Sequence, residues 1–262
     1  MERPTLSLDI ESTTEVFGLP AELRPGLDPA ISAITDVALA YDTKEGTTRK
    51  LLLTVADDAV AGWTGSETYL TSGRTDRYQP VAVDETSKAL VCVDETQLLK
   101  LLPVVIREVV RNNHIDLLST WNGGVFDLPF IAERAGRMLG DATLAGLLSL
   151  AADPSVYVKY APIPGHAGGY RAAFDGDISH LDLQAPCKPY ADKHGIKHSL
   201  KPVAIHAGLS PIVVDQEKMH LLSSAKRWAY ALSDAEVTLD LTHKFWLELA
   251  LNGHIDAVPA AA

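Results

Sequence analysis

The sequence predicts an α/β protein with a mixed five- or six-stranded sheet flanked by helices. Three observations support this prediction: strand patterns dominate the first part of the chain, helix and strand patterns then alternate, and the last part is helical. A hydrophobic fraction of 47% and a charged fraction of 22% are ordinary for a globular protein, and 262 residues suffice to bury a core. We expect one domain over residues 1–255 and a short tail over 256–262.

The first half of the chain carries four strand patterns. Residues 5–11, 31–41 and 50–56 have the alternating or clustered apolar positions of strands, and Gly and Pro residues punctuate the first connection. The polar stretch 62–79 predicts an insertion or a mobile loop, and residues 87–93 predict the fourth strand.

Helices and further strands follow. Asp94 is expected to cap a helix that contains Leu98, Leu102, Val105 and Val109 at helical spacing, with a kink at Pro103. The remaining patterns predict a strand over 115–120, a helix over 126–139, a Pro- and Gly-rich loop over 162–169, a strand over 178–183 and helices to about 252.

Composition restricts the function classes. No apolar run reaches the ~20 residues needed to span a bilayer, and the N-terminus lacks a signal-peptide pattern. Cys92 and Cys187 form neither a C-x-x-C pair nor a zinc set, and Cys92 is expected to be a buried free thiol, so we expect a cytoplasmic protein. The net charge of -11 argues against tight nonspecific duplex binding, but not against an enzyme that grips a strand end.

Four carboxylates lie in three short motifs. Asp9 and Glu11 project from one face of the first strand, because strand side chains alternate with a period of two. Asp127 begins a helix after a strand, and Asp234 follows Tyr230 by one helical turn. Four converging carboxylates cannot all stay ionised without cations, so the set predicts two divalent ions, Mg²⁺ or Mn²⁺, for phosphodiester cleavage.

Each motif alone has a simpler interpretation. Asp9 and Glu11 fit solvent-facing strand positions, Asp127 fits a carboxylate that a helix dipole stabilises, and Tyr230 with Asp234 fits a surface helix pair. The occurrence of all three motifs in this order and context favours a common site.

At these motifs the sequence resembles the DEDD superfamily of 3′-5′ exonucleases. Asp9-Ile-Glu11 matches its first motif, Asn122-x-x-x-Phe-Asp127 resembles that of family B DNA polymerase proofreading domains, and Tyr230-x-x-x-Asp234 matches the tyrosine subtype. The resemblance implies a ribonuclease-H-like fold and a stand-alone enzyme, since no polymerase palm fits in this length. It implies metal-dependent removal of nucleotides from the 3′ end of single-stranded DNA by two-metal-ion hydrolysis.

The resemblance also implies roles for single residues. Asp9 would bridge both ions, Glu11 and Asp234 would complete the site that holds the attacking water, and Asp127 would support the second ion. Tyr230 would orient the water, because a phenol with a pKa near 10 is a poor base at neutral pH.

Substrate contacts are predicted at two places. Asn122 and Phe126 are implied to approach the terminal nucleotides, where a ring can stack on a base, although a turn and a core position are simpler interpretations. Lys197 and Lys201 are candidates for phosphate contact. They belong to a local basic cluster that otherwise predicts a solvated helical face: Lys188, Lys193, His194, Lys197, His198 and Lys201.

The sequence leaves alternative metal sites, functions and partners open. His194 and His198 have the spacing of a zinc pair, but the Glu of H-E-x-x-H is missing, so we do not expect zinc. An exoribonuclease would differ by recognising the 2′-OH, and a catalytically silent nucleic-acid-binding module would not need the four carboxylates. A polymerase or a repair protein is a candidate partner, and no membrane association is expected.

Overall fold

The computed structural model describes residues 3–12, 29, 32–55, 81–140, 148–153, 169–174, 178–215 and 222–254. The strands are β1 (Thr5–Ser12), β2 (Ile34–Asp42), β3 (Thr48–Val55), β4 (Val81–Ala82), β5 (Ser87–Cys92), β6 (Leu117–Thr120), β7 (Leu148–Asp153), β8 (Gly169–Phe174) and β9 (Ser179–Asp182). The helices are α1 (Glu95–Asn113), α2 (Asp127–Leu139), α3 (Gln184–His194), α4 (Leu200–His206), α5 (Ser224–Lys244) and α6 (Trp246–Leu251). The polar stretch 62–79, most of the loop 162–169 and the tail 256–262 lie outside the described residues.

The main sheet has the strand order β4-β5-β3-β2-β1-β6-β9. Strands β1, β2 and β3 pair antiparallel, whereas β3 with β5, β1 with β6 and β6 with β9 pair parallel. The predicted mixed sheet flanked by helices is therefore confirmed, with six strands and the two-residue β4 at one edge. Its strand arrangement is compatible with a ribonuclease-H-like sheet. Strands β7 and β8 form a separate antiparallel pair.

The predicted cap of the first helix is confirmed. The Asp94 carboxylate accepts the backbone N–H of Gln97 at 2.7 Å, which satisfies one of the free amides at the start of α1. The helix continues through Pro103 to Asn113 and ends at His114, which adopts the left-handed conformation with φ 55°. Cys92 is a buried free thiol, as the sequence predicts.

Alternation along β1 sends its side chains to two different layers. Leu6, Leu8 and Ile10 are buried with residues of α1 and α2 on one face of the sheet. On the opposite face, the Ser7 hydroxyl donates to the carbonyl of Ala235 in α5 at 2.5 Å. Asp9 and Glu11 share the face of Ser7, so β1 directs them toward α5.

Small side chains allow α5 to lie close to the sheet. Ala38 in β2 packs in one buried cluster with Ala231 and Ala235 of α5, and Trp228 from the same helix closes this cluster. Because an alanine side chain adds little thickness, the helix backbone can approach the strands closely. This close approach brings the α5 side chains within reach of Asp9 and Glu11.

None of the described helices has the length and apolar character needed to cross a bilayer.

Candidate functional site

Three of the four predicted carboxylates meet where β1 faces α5. One ligand atom from each of Asp9, Glu11 and Asp234 lies within 4.8 Å of the others. Within the described residues, no other group of three or more His, Cys, Asp or Glu side chains meets this criterion. The spacing of two in the strand and the packing of α5 across it together produce this convergence.

Asp127 lies beside this group, at the first residue of α2. Its Oδ1 accepts the backbone N–H of Ile10 at 3.1 Å. The pairing of β6 with β1 ends at Ser7, so the amide of Ile10 lies beyond the partner strand and a side chain takes the position of a strand carbonyl. Asp127 is buried and its charge interacts with that of Asp9, so the fourth predicted carboxylate lies near this group but is not one of its three members.

The protein environment disfavours negative charge at these positions. Burial raises the pKa of Asp9 to about 7, although the ammonium of Lys201 opposes the rise. Burial also raises the pKa of Glu11 well above its ordinary value, and repulsion by Asp9 and Asp36 adds to this effect. The pKa of Asp127 is raised by burial and then by the charge of Asp9. An oxygen-only donor set of this kind fits a divalent cation such as Mg²⁺ or Mn²⁺, which would favour the ionised forms.

Tyr230 and Asp234 share one face of α5, as their spacing of four predicts. Both side chains are buried. The ammonium of Lys201, from α4, forms an ion pair with Asp234 and lies 4.3 Å from the centroid of the Tyr230 ring. Lys201, which the sequence predicts as a phosphate contact, thus contacts the acidic group that Asp9, Glu11 and Asp234 form.

Lys201 is an internal cation of the site. Burial lowers its pKa to about 8, while the charges of Asp9 and Glu11 counteract this shift. At neutral pH the protonated lysine therefore offsets part of the negative charge of the carboxylates.

A buried ion pair next to this group was missed by sequence reasoning. Asp36 in β2 lies opposite Glu11 in the register of β1 and β2, and its Oδ2 accepts a hydrogen bond from Nε of Arg227 at 2.7 Å. Burial raises the pKa of Asp36, and Arg227 opposes the rise. An Asp inside an apolar strand pattern was the available signal, but the register that brings it to Glu11 is not a local property.

The loop between β6 and α2 carries the other predicted substrate contacts. Asn122 adopts φ 64°, which is uncommon for a residue with a side chain, and its carbonyl accepts the N–H groups of Val125 and Phe126. The ring of Phe126 is partly buried and lies 5.6 Å from that of Phe130, so part of it belongs to the core. Contact of Asn122 and Phe126 with nucleotides stays a prediction.

The basic cluster does not form one uniform face. Lys188 pairs with Asp192 at 2.8 Å, whereas Lys197 is exposed and Lys201 points into the site. Nε2 of His198 lies 2.5 Å from the carbonyl oxygen of Gln184, while the ring of His194 lies tilted against that of His206, with 4.5 Å between the ring centroids. The two histidines therefore have different partners, and phosphate contact by Lys197 stays a prediction.

Comparison with known proteins adds no assignment: no protein-family model matches the chain, and no curated protein is significantly similar to it.

Proposed function

We propose that the protein is a metal-dependent 3′-5′ exonuclease that hydrolyses single-stranded DNA from its 3′ end. The observation that carries the proposal is the convergence of Asp9, Glu11 and Asp234, whose ligand atoms lie within 4.8 Å of one another. Residues 225 positions apart in the chain supply these oxygens, with Asp127 beside them. Carboxylates that only face solvent would not need to converge from such distant parts of the chain.

The residues divide into two groups by chemistry. Asp9, Glu11, Asp127 and Asp234 offer carboxylate oxygens and would hold two divalent cations. When bound, such cations lower the pKa of a water and stabilise negative charge on the oxygens of a phosphodiester. Lys201 supplies a positive charge paired with Asp234, and the ring of Tyr230 lies against this ammonium.

Tyr230 is assigned the positioning of the attacking water. A hydroxyl both donates and accepts hydrogen bonds, so it can orient a water molecule without taking its proton. The residue is held by burial in α5, one turn before Asp234, so its ring has little freedom to move. A fixed hydroxyl is what orientation of a nucleophile requires.

The position of Lys201 favours a second candidate, a catalytically silent nucleic-acid-binding module. An ammonium paired with Asp234 and interacting with Asp9 and Glu11 can neutralise part of the acidic group without any metal ion. In that case the carboxylates and the lysine would be a structural charge network, and the protein would bind strands without cutting them.

One assay separates these functions. A 5′-labelled single-stranded DNA and the matching RNA are incubated with the protein in chelator, in Mg²⁺ and in Mn²⁺. The exonuclease should give a ladder of shortened DNA products only with metal, whereas the silent module should leave the strand uncut. A ladder from RNA alone would identify an exoribonuclease.

The matched variants are Asp9→Ala and Asp116→Ala. Asp116 pairs with Arg3 near the start of β1, and its side chain is 47% exposed, so its removal tests the loss of one carboxylate away from the site. Asp9→Ala should abolish cleavage and Asp116→Ala should not. Full activity of Asp9→Ala in chelator would refute the proposed chemistry.

A further inference from the structure

Asp182 is a carboxylate outside the acidic group that contacts the loop carrying the predicted substrate residues. It is the last residue of β9, and it lies opposite Thr120, the last residue of β6, in the parallel register of these strands. The chain leaves β6 at Thr120, passes through 121–126 and enters α2 at Asp127. The Asp182 side chain is therefore next to the start of this loop.

Both carboxylate oxygens of Asp182 accept backbone N–H groups. Oδ1 accepts from Asn122 at 2.8 Å and from Gln184 at 3.0 Å, and Oδ2 accepts from Gly124 at 3.1 Å. Two of these three hydrogen bonds hold the loop, and the third holds the first residue of α3. Hydrogen bonds to an ionised acceptor are stronger than those between neutral groups.

The loop has a conformation that needs such support. Asn122 is left-handed, and a Cβ on Gly123 would lie 2.5 Å from Cβ of Thr120, so the backbone approaches β6 too closely for any side chain. A backbone of this kind persists where surrounding contacts fix it. The two hydrogen bonds from the loop to Asp182 and the packing of Gly123 against Thr120 both constrain this loop.

We infer that Asp182 is a positioning residue of the proposed exonuclease, which fixes Asn122 and Phe126 for contact with the terminal base of the strand. The inference rests on the proposed function for its substrate, but the clamp itself is a property of the loop. The three hydrogen bonds of Asp182 all come from backbone amides, and its charge also acts on that of Asp127, a proposed metal ligand. Its removal should therefore weaken recognition of the terminal nucleotide.

The test variant is Asp182→Asn, with Asp192→Asn as the matched control. An asparagine side chain has one acceptor oxygen and one donor NH₂ group, so it cannot accept from all three amides. At least one backbone N–H would then face the NH₂ group, which is itself a donor. Asp192 lies on the exposed side of α3 and pairs with Lys188, so the same change there does not touch the loop.

The first measurement is residue-resolved amide hydrogen exchange of the full chain without metal. Asp182→Asn should speed exchange of the Asn122 and Gly124 amides on the order of 10- to 100-fold, which corresponds to the loss of a hydrogen bond to a charged group. Asp192→Asn should leave these amides unchanged. Equal exchange of both amides in Asp182→Asn and the wild type would overturn the inference.

The second measurement compares cleavage of a normal strand with a strand whose 3′-terminal nucleotide lacks its base. In the wild type, KM for the normal strand should be on the order of 10-fold lower than KM for the strand that lacks its terminal base, since stacking on an aromatic ring stabilises a bound base. Asp182→Asn and Phe126→Ala should each bring the two KM values together, and the double variant should go no further. An unchanged KM ratio in Asp182→Asn, or a wild type that does not distinguish the ends, would overturn the inference.

The two measurements separate this inference from the proposed function. A wild type that cleaves neither strand refutes the exonuclease, and hydrogen exchange then decides alone whether Asp182 fixes the loop. If Asp182→Asn does not fold, Gly123→Ala displaces the loop through its contact with Thr120 and should give the same faster exchange and the same loss of the KM ratio.

Discussion

The substitution Asp9→Asn should stabilise the metal-free protein at alkaline pH. Asn keeps the shape of the side chain and removes the charge that burial disfavours. Burial raises the pKa of Asp9 from 3.8 to about 7, so the folded state binds its proton more tightly than the unfolded chain does. The stability that this proton provides is complete below pH 3.8 and is lost as the pH rises through about 7.

The magnitude follows from the same values. A tenfold change in an ionisation constant corresponds to about 1.36 kcal/mol, so the full penalty of ionising Asp9 is about 4 kcal/mol at pH 8. Asp9 keeps part of its surface in solvent, and Asn loses the attraction to Lys201, so we expect a measured gain of about 2 kcal/mol. Near pH 4 the gain should almost vanish, because Asp9 is then protonated in the folded wild type.

Urea unfolding in chelator at about pH 4 and pH 8 measures this difference. Asp116→Asn, which removes the carboxylate that pairs with Arg3 away from the site, should show no such gain at pH 8. Addition of Mn²⁺ should stabilise the wild type more than Asp9→Asn, because only the wild type offers the complete ligand set. If Asp9→Asn is less stable than the wild type at pH 8 in chelator, burial is not the main influence on this carboxyl and the reasoning fails.

Three further outcomes are expected. Tyr230→Phe should lower the cleavage rate on the order of 10- to 10³-fold, while its affinities for Mn²⁺ and for an oligonucleotide stay close to those of the wild type. A variant that cleaves at the wild-type rate, or that loses metal as severely as Asp234→Ala does, would exclude the positioning role. A closed circular single strand and a 3′-blocked strand should resist cleavage in the assay that degrades the open strand, and cutting of the circle at a comparable rate would indicate an endonuclease. Gly123→Ala should destabilise the fold by about 1–3 kcal/mol in urea unfolding, because its Cβ would collide with Thr120; an unchanged unfolding midpoint would show that the loop moves freely.

Local patterns were sufficient for most of the main sheet. The strand predicted over residues 5–11 is Thr5–Ser12, and the one predicted over 87–93 is Ser87–Cys92. The pair β7 and β8 was missed, since Leu148–Asp153 contains two Ala residues and an Asp, which are depleted in strands. The two-residue β4 is too short to produce a pattern.

The site was predictable as far as local periodicity reaches. A period of two places Asp9 and Glu11 on one face of a strand, and a spacing of four places Tyr230 and Asp234 on one face of a helix. Contacts that depend on the relation between distant elements were not predictable. Asp36 reaches Glu11 only through the register of β1 and β2, and Lys201 reaches Asp234 only because α4 packs against α5.

The position of α5 has a consequence for the order of events during synthesis. The helix covers the sheet through Trp228 and Ala231 and also carries Asp234, which meets Asp9 from the opposite part of the chain. Contacts at such sequence separation form late, because closing a long loop is entropically costly. During synthesis, Asp9 would emerge from the ribosome long before Asp234 does. The proposed nuclease would therefore be inactive until α5 has docked, so that docking of this helix and the onset of activity are a single step.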